Sequence, residues 1–383
     1  MDIFKDRITE VYHHIIQNDL SLGYRRLIDL ILDLGESSFY EKIISYSDLF
    51  YNDNIDHQTK KDKALKILEE LNQVSSPIFK EEEVLITTTK VAKNYNNRNF
   101  KLYPVTFDLK SREVVGLVGE NGNGKTTLLR LIAGELKPTS GEINYQFSTA
   151  SQFSFDLKSE LVFVPQRIEE LYGSLINNLQ FTLSCYNVKG KENFLLSQVM
   201  LARLGLWQYK DLDWRQLSSG YKMRFEIART LLRKPKVLLL DEPLANLDIM
   251  AQQIILEDLK YLSQSVSHPF GVILSSQQLY EVEKVSTEVL FLEQGKLKYQ
   301  EDNSDEKINY TIVEIDVTNN KQELLTILNS LNLHDLKFNG GAYIAYFSPE
   351  IKMNDILLLI GKSDLEVKYI RNISESSRRY FVN

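Results

Sequence analysis

Gly119-Glu-Asn-Gly-Asn-Gly124-Lys125-Thr126 constrains this chain more than any other segment, because it fits the phosphate-loop pattern G-x-x-x-x-G-K-[ST]. The flanks fit as well. Glu113-Val-Val-Gly-Leu-Val118 reads as a buried strand, and Thr127-Leu-Leu-Arg-Leu-Ile132 reads as a helix. Glycines let backbone N–H groups turn inward on phosphate oxygens, and a helix N-terminus adds positive potential. The candidate nucleotide contacts are Gly119, Glu120, Asn121, Gly122, Asn123, Gly124, Lys125, Thr126 and Thr127. Lys125 is expected at the β/γ-phosphates of ATP and Thr126 at a Mg2+ ion. The bland alternative is a glycine-rich turn with a chance lysine; a strand before it and a helix after it speak against that.

A second motif lies downstream. Val237-Leu-Leu-Leu240 reads as a buried strand that delivers Asp241 and Glu242 at its end. Asp241 is expected to hold the Mg2+ through water, and Glu242 to polarise the attacking water as general base. Alone, such a pair could be a solvated strand end. After a phosphate loop it reads as catalytic.

With these two motifs the middle of the chain, 83–300, resembles the ATP-binding cassette superfamily. Leu217-Ser218-Ser219-Gly220-Tyr221 resembles the superfamily's signature loop, usually L-S-G-G-Q, with Ser219 in place of glycine and Tyr221 in place of glutamine. Ser218 and Gly220 are the residues that do the phosphate work in the family, and a small residue at 219 leaves room for the nucleotide. By itself the same Ser-Ser-Gly is a helix N-cap. Val164-Pro165-Gln166 resembles the Q-loop, which implies a Mg2+ ligand in Gln166 and a contact that senses a membrane partner. Leu244-Ala-Asn-Leu-Asp248 resembles the D-loop, which crosses the dimer interface in the family. Tyr95 is the expected adenine-stacking aromatic, with Phe100 and Tyr103 as rivals and a core role open for all three.

One motif departs from the family pattern. Ile273-Leu-Ser-Ser276-Gln277-Gln-Leu-Tyr-Glu-Val-Glu283 aligns with the switch-histidine segment, and Gln277 stands where the histidine belongs. An amide can still hydrogen-bond a γ-phosphate, but it carries no charge. Turnover is therefore expected to be slow or to rest mainly on Glu242. His268 does not match the segment.

The resemblance implies an α/β fold: a P-loop NTPase cassette with a helical subdomain. An all-helical region is expected before it and a small ferredoxin-like α+β module after it. The expected divisions are 1–82, 83–300 and 301–383. In the first, Phe4, Ile8, Val11, Tyr12, Ile15 and Ile16 recur at helical spacing. Leu27 to Leu34 is a second apolar stretch ended by Gly35, and Ala64 to Leu71 a third. His13, His14 and His57 read as ordinary surface histidines. In the last division, after an acidic linker at Glu301 to Glu306, Thr311, Val313, Ile315 and Val317 alternate with Glu314 and Asp316 as in a half-buried strand. A helix at Lys321 to Leu331, a strand pair around Asn339-Gly340-Gly341, a helix near Ile356 to Ile360 and a strand at Glu366 to Ile370 complete a βαββαβ order.

Composition narrows the partners. With 45 basic and 52 acidic residues the formal charge is -7, so no electrostatic grip on nucleic acid is expected. The single cysteine, Cys185, excludes an internal disulfide. No apolar run approaches the roughly 18 residues needed to span a bilayer, and the charged start MDIFKDRITEVYHH has no signal-peptide core. The expectation is a cytoplasmic ATPase, peripheral at the inner face of the cell membrane, that drives a separate transmembrane permease subunit. In the superfamily the phosphate loop of one cassette faces the signature of another, so with one of each per chain the resemblance implies a homodimer or heterodimer of cassettes. The competing classes are a soluble ribosome- or DNA-associated cassette and an ATP-binding regulator of low turnover. The first usually carries two cassettes and a basic linker, or long coiled coils or zinc modules, which this sequence lacks.

Overall fold

The computed structural model describes residues 2–95, 100–148, 155–245, 247–299, 310–318, 321–339 and 341–374. The chain separates into two compact units, Met1–Lys298 and Tyr299–Asn383.

The first unit opens with helices α1 (Ile3–Ile16), α2 (Leu20–Leu34), α3 (Ser37–Phe50) and α4 (His57–Gln73). Their starts are written in the sequence. Asp2, Asp19 and Asp56 each accept a hydrogen bond from an otherwise unpaired N–H of the first turn. Gly35, at φ 78°, ends α2 in the left-handed conformation that glycine adopts without strain. Helix α2 is longer than the apolar stretch at Leu27–Leu34, because Leu20 and Tyr24 continue its buried face. Helix α3 has no counterpart in the sequence reading. Its buried residues are mainly aromatic (Phe39, Tyr40, Tyr46), with Ile43 as the one aliphatic side chain among them, and its Glu36 start has no side-chain cap.

Next come β1 (Val84–Asn94), β2 (Lys101–Lys110), β3 (Val114–Val118), α5 (Lys125–Ile132), β4 (Ser140–Tyr145), α6 (Phe155–Glu160) and β5 (Leu161–Val164). They are followed by α7 (Leu175–Cys185), α8 (Gly190–Arg203), α9 (Ser219–Leu231), β6 (Val237–Leu240) and α10 (Ile249–Ser263). The unit closes with β7 (Gly271–Ser276), α11 (Leu279–Glu283), β8 (Glu288–Glu293) and β9 (Lys296–Tyr299). One sheet runs β2-β1-β4 and is antiparallel. The other runs β5-β6-β7-β3-β8-β9, with β5 to β8 paired in parallel.

Strands β3, β6 and β7 are buried along their whole length, which is why they read as continuous apolar runs. Alternate residues still go to opposite faces. Val115, Leu117, Leu239 and Ile273 pack with α5 and the antiparallel sheet. Val114, Val118, Leu238 and Leu274 join a second core that runs on through α7–α10 into α1–α4. The amino-terminal helices thus share a core with the rest of the unit, and each fully buried Leu or Ile there contributes about 1.5–3 kcal/mol. Parallel pairing places the loops after β3, β5, β6 and β7 at one edge of the sheet, where ligands bind in open α/β sheets.

The second unit contains β10 (Thr311–Val317), α12 (Lys321–Leu328), β11 (Leu333–Asn339), β12 (Ala342–Phe347), α13 (Met353–Gly361) and β13 (Val367–Asn372). Its antiparallel sheet runs β11-β12-β10-β13, the ferredoxin-like arrangement expected of a βαββαβ order. Val313, Ile315 and Val317 pack with Leu324 and Leu328 of α12 and Ile356 and Ile360 of α13. The acidic stretch at 301–306 and Gly340 lie outside the described residues. Among the described residues no helix is long and apolar enough to cross a membrane.

Candidate nucleotide-binding site

The loop between β3 and α5 wraps the start of α5. Gly124 has φ 104° and lies against Phe100, so a Cβ there would meet the ring's Cζ at 2.7 Å. A Cβ on Gly119 would meet the backbone oxygen of Leu292 at 2.3 Å. Both glycines are therefore required by close approach as well as by the turn. Lys125 starts α5 and is 5% exposed. Its Nζ donates to the backbone oxygens of Gly119 at 2.6 Å and Glu120 at 3.2 Å. It also stands 3.0 Å from Oε1 of Glu242.

Strand β6 delivers its two carboxylates into the same place. The Thr126 hydroxyl donates to Oδ2 of Asp241 at 2.8 Å, and the Ser275 hydroxyl donates to Oδ1 at 2.8 Å. Glu242 has φ 50°, a sparsely populated conformation for a residue with a side chain. Its Oε1 is buried and accepts no hydrogen bond among the described residues, so the contact with Lys125 is Coulombic.

Lys125, Thr126 and Glu242 border an open cavity of about 310 Å³, lined also by Tyr95, Phe100, Glu120, Asn121, Gly122, Gly124, Thr127 and Gln166. Two of the three candidate aromatics share its rim, Tyr95 and Phe100, with ring centroids 6.4 Å apart. Tyr103 instead lies between the ammonium groups of Lys101 and Lys296. Phe100 was legible only as a rival to Tyr95, since its seat under Gly124 is a tertiary contact. Asn123 turns outward, and its Oδ1 accepts the Gln294 N–H at 3.1 Å.

The remaining candidates sit elsewhere. Ser218 caps α9, its Oγ accepting the Tyr221 N–H at 3.4 Å. Tyr221 is itself held by Tyr209, whose hydroxyl donates to it at 3.1 Å. That bond raises the pKa of Tyr209, because it stabilises the protonated donor. Ser219 lines a second concavity of about 340 Å³ with Gln166, Ile168, Trp214, Met223 and Leu247. A Cβ on Gly220 would meet Ala251 and Leu247 at ordinary van der Waals distance. Asp248 caps α10 by accepting the Ala251 N–H at 2.9 Å, and Asn246 lies outside the described residues. Gln277 is exposed just beyond β7 and is not among the residues lining the first cavity. Gln166 alone of the lining residues borders both concavities.

The chemistry of this arrangement is specific. Backbone N–H groups at a helix start and a buried ammonium suit a polyphosphate. The oxygens of Thr126, Asp241 and Gln166 are the hard donors that Mg2+ takes. Among the described residues no cluster of three His, Cys, Asp or Glu side chains competes as a metal site.

Comparison with known proteins agrees with the geometry. Residues 102–245 match the ABC transporter family. The spermidine/putrescine import ATP-binding protein PotA of Mycoplasma mycoides subsp. mycoides SC is 31% identical over 226 residues, 57% of this chain and 61% of that protein. The molybdenum import ATP-binding protein ModC of Saccharophagus degradans is 37% identical over 192 residues, 49% of this chain and 52% of that protein. The chain thus spans less than two thirds of the length of these relatives. Among solved structures, cbiO1 from Clostridium perfringens, part of the ABC transporter complex cbiONQ, superposes with a TM-score of 0.51 at 27% identity, covering 57% of this chain and 88% of that one. With its phosphate loop, strand-end carboxylates and signature helix placed as described, the chain carries in residues 102–245 a domain of the ABC transporter family.

Proposed function

We propose that this chain is the ATP-binding and ATP-hydrolysing subunit of an ABC transporter, acting on a separate transmembrane subunit through ATP-dependent dimerisation of cassettes. The observation that carries the reading is the meeting of Lys125, Thr126 and Glu242 on one open cavity, with Asp241 bonded to Thr126 behind them. Lys125 binds the β/γ-phosphates, trading its backbone contacts and Glu242 for a dianionic partner. Thr126, Asp241 and Gln166 would hold Mg2+, and the ion would supply charge neutralisation to the phosphates. Glu242, released from Lys125, orients the attacking water and takes its proton. Tyr95 and Phe100 offer a stacking surface to the base.

Ser218, Ser219, Gly220 and Asp248 are absent from the lining of that cavity, which supports a site completed by the signature loop of a second cassette. The concavity beyond Gln166, with Ile168 and Trp214 in its wall, is the place proposed for the membrane partner. The motor is proposed to occupy 83–300, with a helical extension at 1–82 and an accessory module at 301–383, at the inner face of a membrane. The relatives' printed cargoes differ, so the proposal stays at the level of the motor.

Glu242→Gln tests it. The variant should bind MgATP, lose turnover by at least about a hundredfold, and form an ATP-dependent dimer on size exclusion. A variant that remains monomeric at saturating ATP would contradict the shared site, and one that still turns over would contradict the role of Glu242.

A further inference from the structure

We propose that Ser275 is the positioning residue that aims Asp241 and Glu242 at the nucleotide; this rests on the ATPase reading above. Ser275 lies on β7, the strand between the phosphate-loop strand β3 and the carboxylate strand β6. It is opposite Leu117 of β3 and one residue past the Leu274–Leu240 pair that joins β7 to β6. Its neighbours Val272, Ile273 and Leu274 are apolar core residues. A hydroxyl with 0% exposure in such a strand is costly unless it is hydrogen-bonded in both directions.

Ser275 is bonded in both directions. Its Oγ accepts the Glu242 N–H at 2.8 Å and donates to Oδ1 of Asp241 at 2.8 Å. One hydroxyl therefore ties together the backbone of the general base and the side chain of the metal-facing carboxylate. The tie matters most at Glu242, whose φ of 50° persists only if its surroundings enforce it. Holding that N–H keeps the Glu242 peptide in the orientation that turns its carboxylate toward Lys125 and the cavity. At Asp241, Thr126 bonds Oδ2 and Ser275 bonds Oδ1. Thr126 is also proposed toward the metal, so Ser275 is the hold on Asp241 that does not compete with it. Ser275 does not line the cavity and acts only through these two residues.

The experiment compares Ser275→Ala, Ser275→Thr and Ser275→Cys in the full chain. The readouts are kcat, KM for ATP, ATP affinity with and without Mg2+, and Tm. Ser275→Ala should lower kcat by about ten- to a hundredfold, the scale of a small misplacement of catalytic groups. It should also lose most of the gain in ATP affinity that Mg2+ provides, and KM should rise by no more than that loss. Ser275→Thr, which keeps the hydroxyl, should recover most of kcat. A merely structural role would lower Tm and leave kcat intact below the transition. Turnover of Ser275→Ala within twofold of the parent, or no recovery in Ser275→Thr, overturns the proposal. Should Ser275→Ala fail to fold, Ser275→Cys, close in size and a weak donor, takes its place and must turn over more slowly than the parent. If the parent itself shows no Glu242-dependent turnover, the ATPase reading fails instead. Ser275 is then judged by the Mg2+-dependent affinity, and an unchanged gain in Ser275→Ala overturns its role.

Discussion

Arg203 and Lys125 are both buried cations that face carboxylates, and their surroundings differ in one decisive respect. Arg203, at the end of α8, has no exposed surface. It donates to Asp29 of α2 through Nε, and to Asp258 of α10 through Nη1 at 3.0 Å. Asp258 also accepts from Arg25 at 3.0 Å, Asp29 pairs with Arg26 at 3.4 Å, and Arg26 lies 3.3 Å over the Tyr261 ring. Burial alone would lower the Arg203 guanidinium, but Asp258 and Asp29 outweigh it and hold its pKa above the ordinary arginine range. Both clusters leave buried polar atoms without a hydrogen bond among the described residues: Nη2 of Arg203 and the Tyr261 hydroxyl in one, Oε1 of Glu242 in the other. Glu242 and Lys125 border an open cavity, and Arg203 is sealed. A sealed knot fixes how α2, α8 and α10 pack. An open one is poised to exchange its internal partners for a ligand.

The largest expected effect falls on the sealed knot. Arg203→Ala leaves Asp29 and Asp258 buried beside one fewer cation and should cost about 3–5 kcal/mol in denaturant unfolding. ATP affinity of the folded fraction should not change; a parallel loss of affinity would mean that the two clusters are coupled and the contrast is false. Lys125→Ala should do the reverse. MgATP affinity should fall at least about a hundredfold, some 2.7 kcal/mol, with stability in the absence of nucleotide altered by no more than about 1 kcal/mol. Unchanged affinity by calorimetry would undo the phosphate-loop assignment.

The smallest effect sharpens the edge of the open site. Gln277 is exposed beyond the cavity lining, and charge-assisted hydrogen bonds are roughly twice as strong as neutral ones. Gln277→His should raise kcat by up to about tenfold, equivalent to 1.4 kcal/mol, with ATP affinity nearly unchanged. Gln277→Ala should slow turnover. A histidine variant slower than the parent at saturating MgATP would mean that the site is rebuilt around the amide.

Local pattern made much of the fold readable. The alternation of Val313, Ile315 and Val317 marked a strand whose odd positions pack on α12 and α13. The run Val237–Leu240 marked a strand buried on both faces. Helix α3 escaped because its buried Phe39, Tyr40 and Tyr46 form no aliphatic stripe, and its Glu36 start has no side-chain cap. Asp29 and Asp33, four residues apart inside the apolar helix RRLIDLILDL, were a visible signal of buried pairing, but their partners lie far along the chain. Asp33 accepts backbone N–H groups from Val266 and Ser267, more than 230 residues away.

The sequence by itself determined the phosphate loop, the strand-end carboxylates and the signature helix start. Each is a contiguous motif whose chemistry depends on neighbours within one turn or one strand. Only the tertiary structure decided which of them meet. The Thr126–Asp241 bond spans 115 residues, the Ser275–Asp241 bond 34, and the Arg203–Asp29 pair 174. Such pairings follow from strand order and helix packing, which bring together side chains that no local period relates. The same burial that closes the Arg203 knot leaves Glu242 on an open cavity, and that difference lies in what packs around each cluster rather than in the residues that form it.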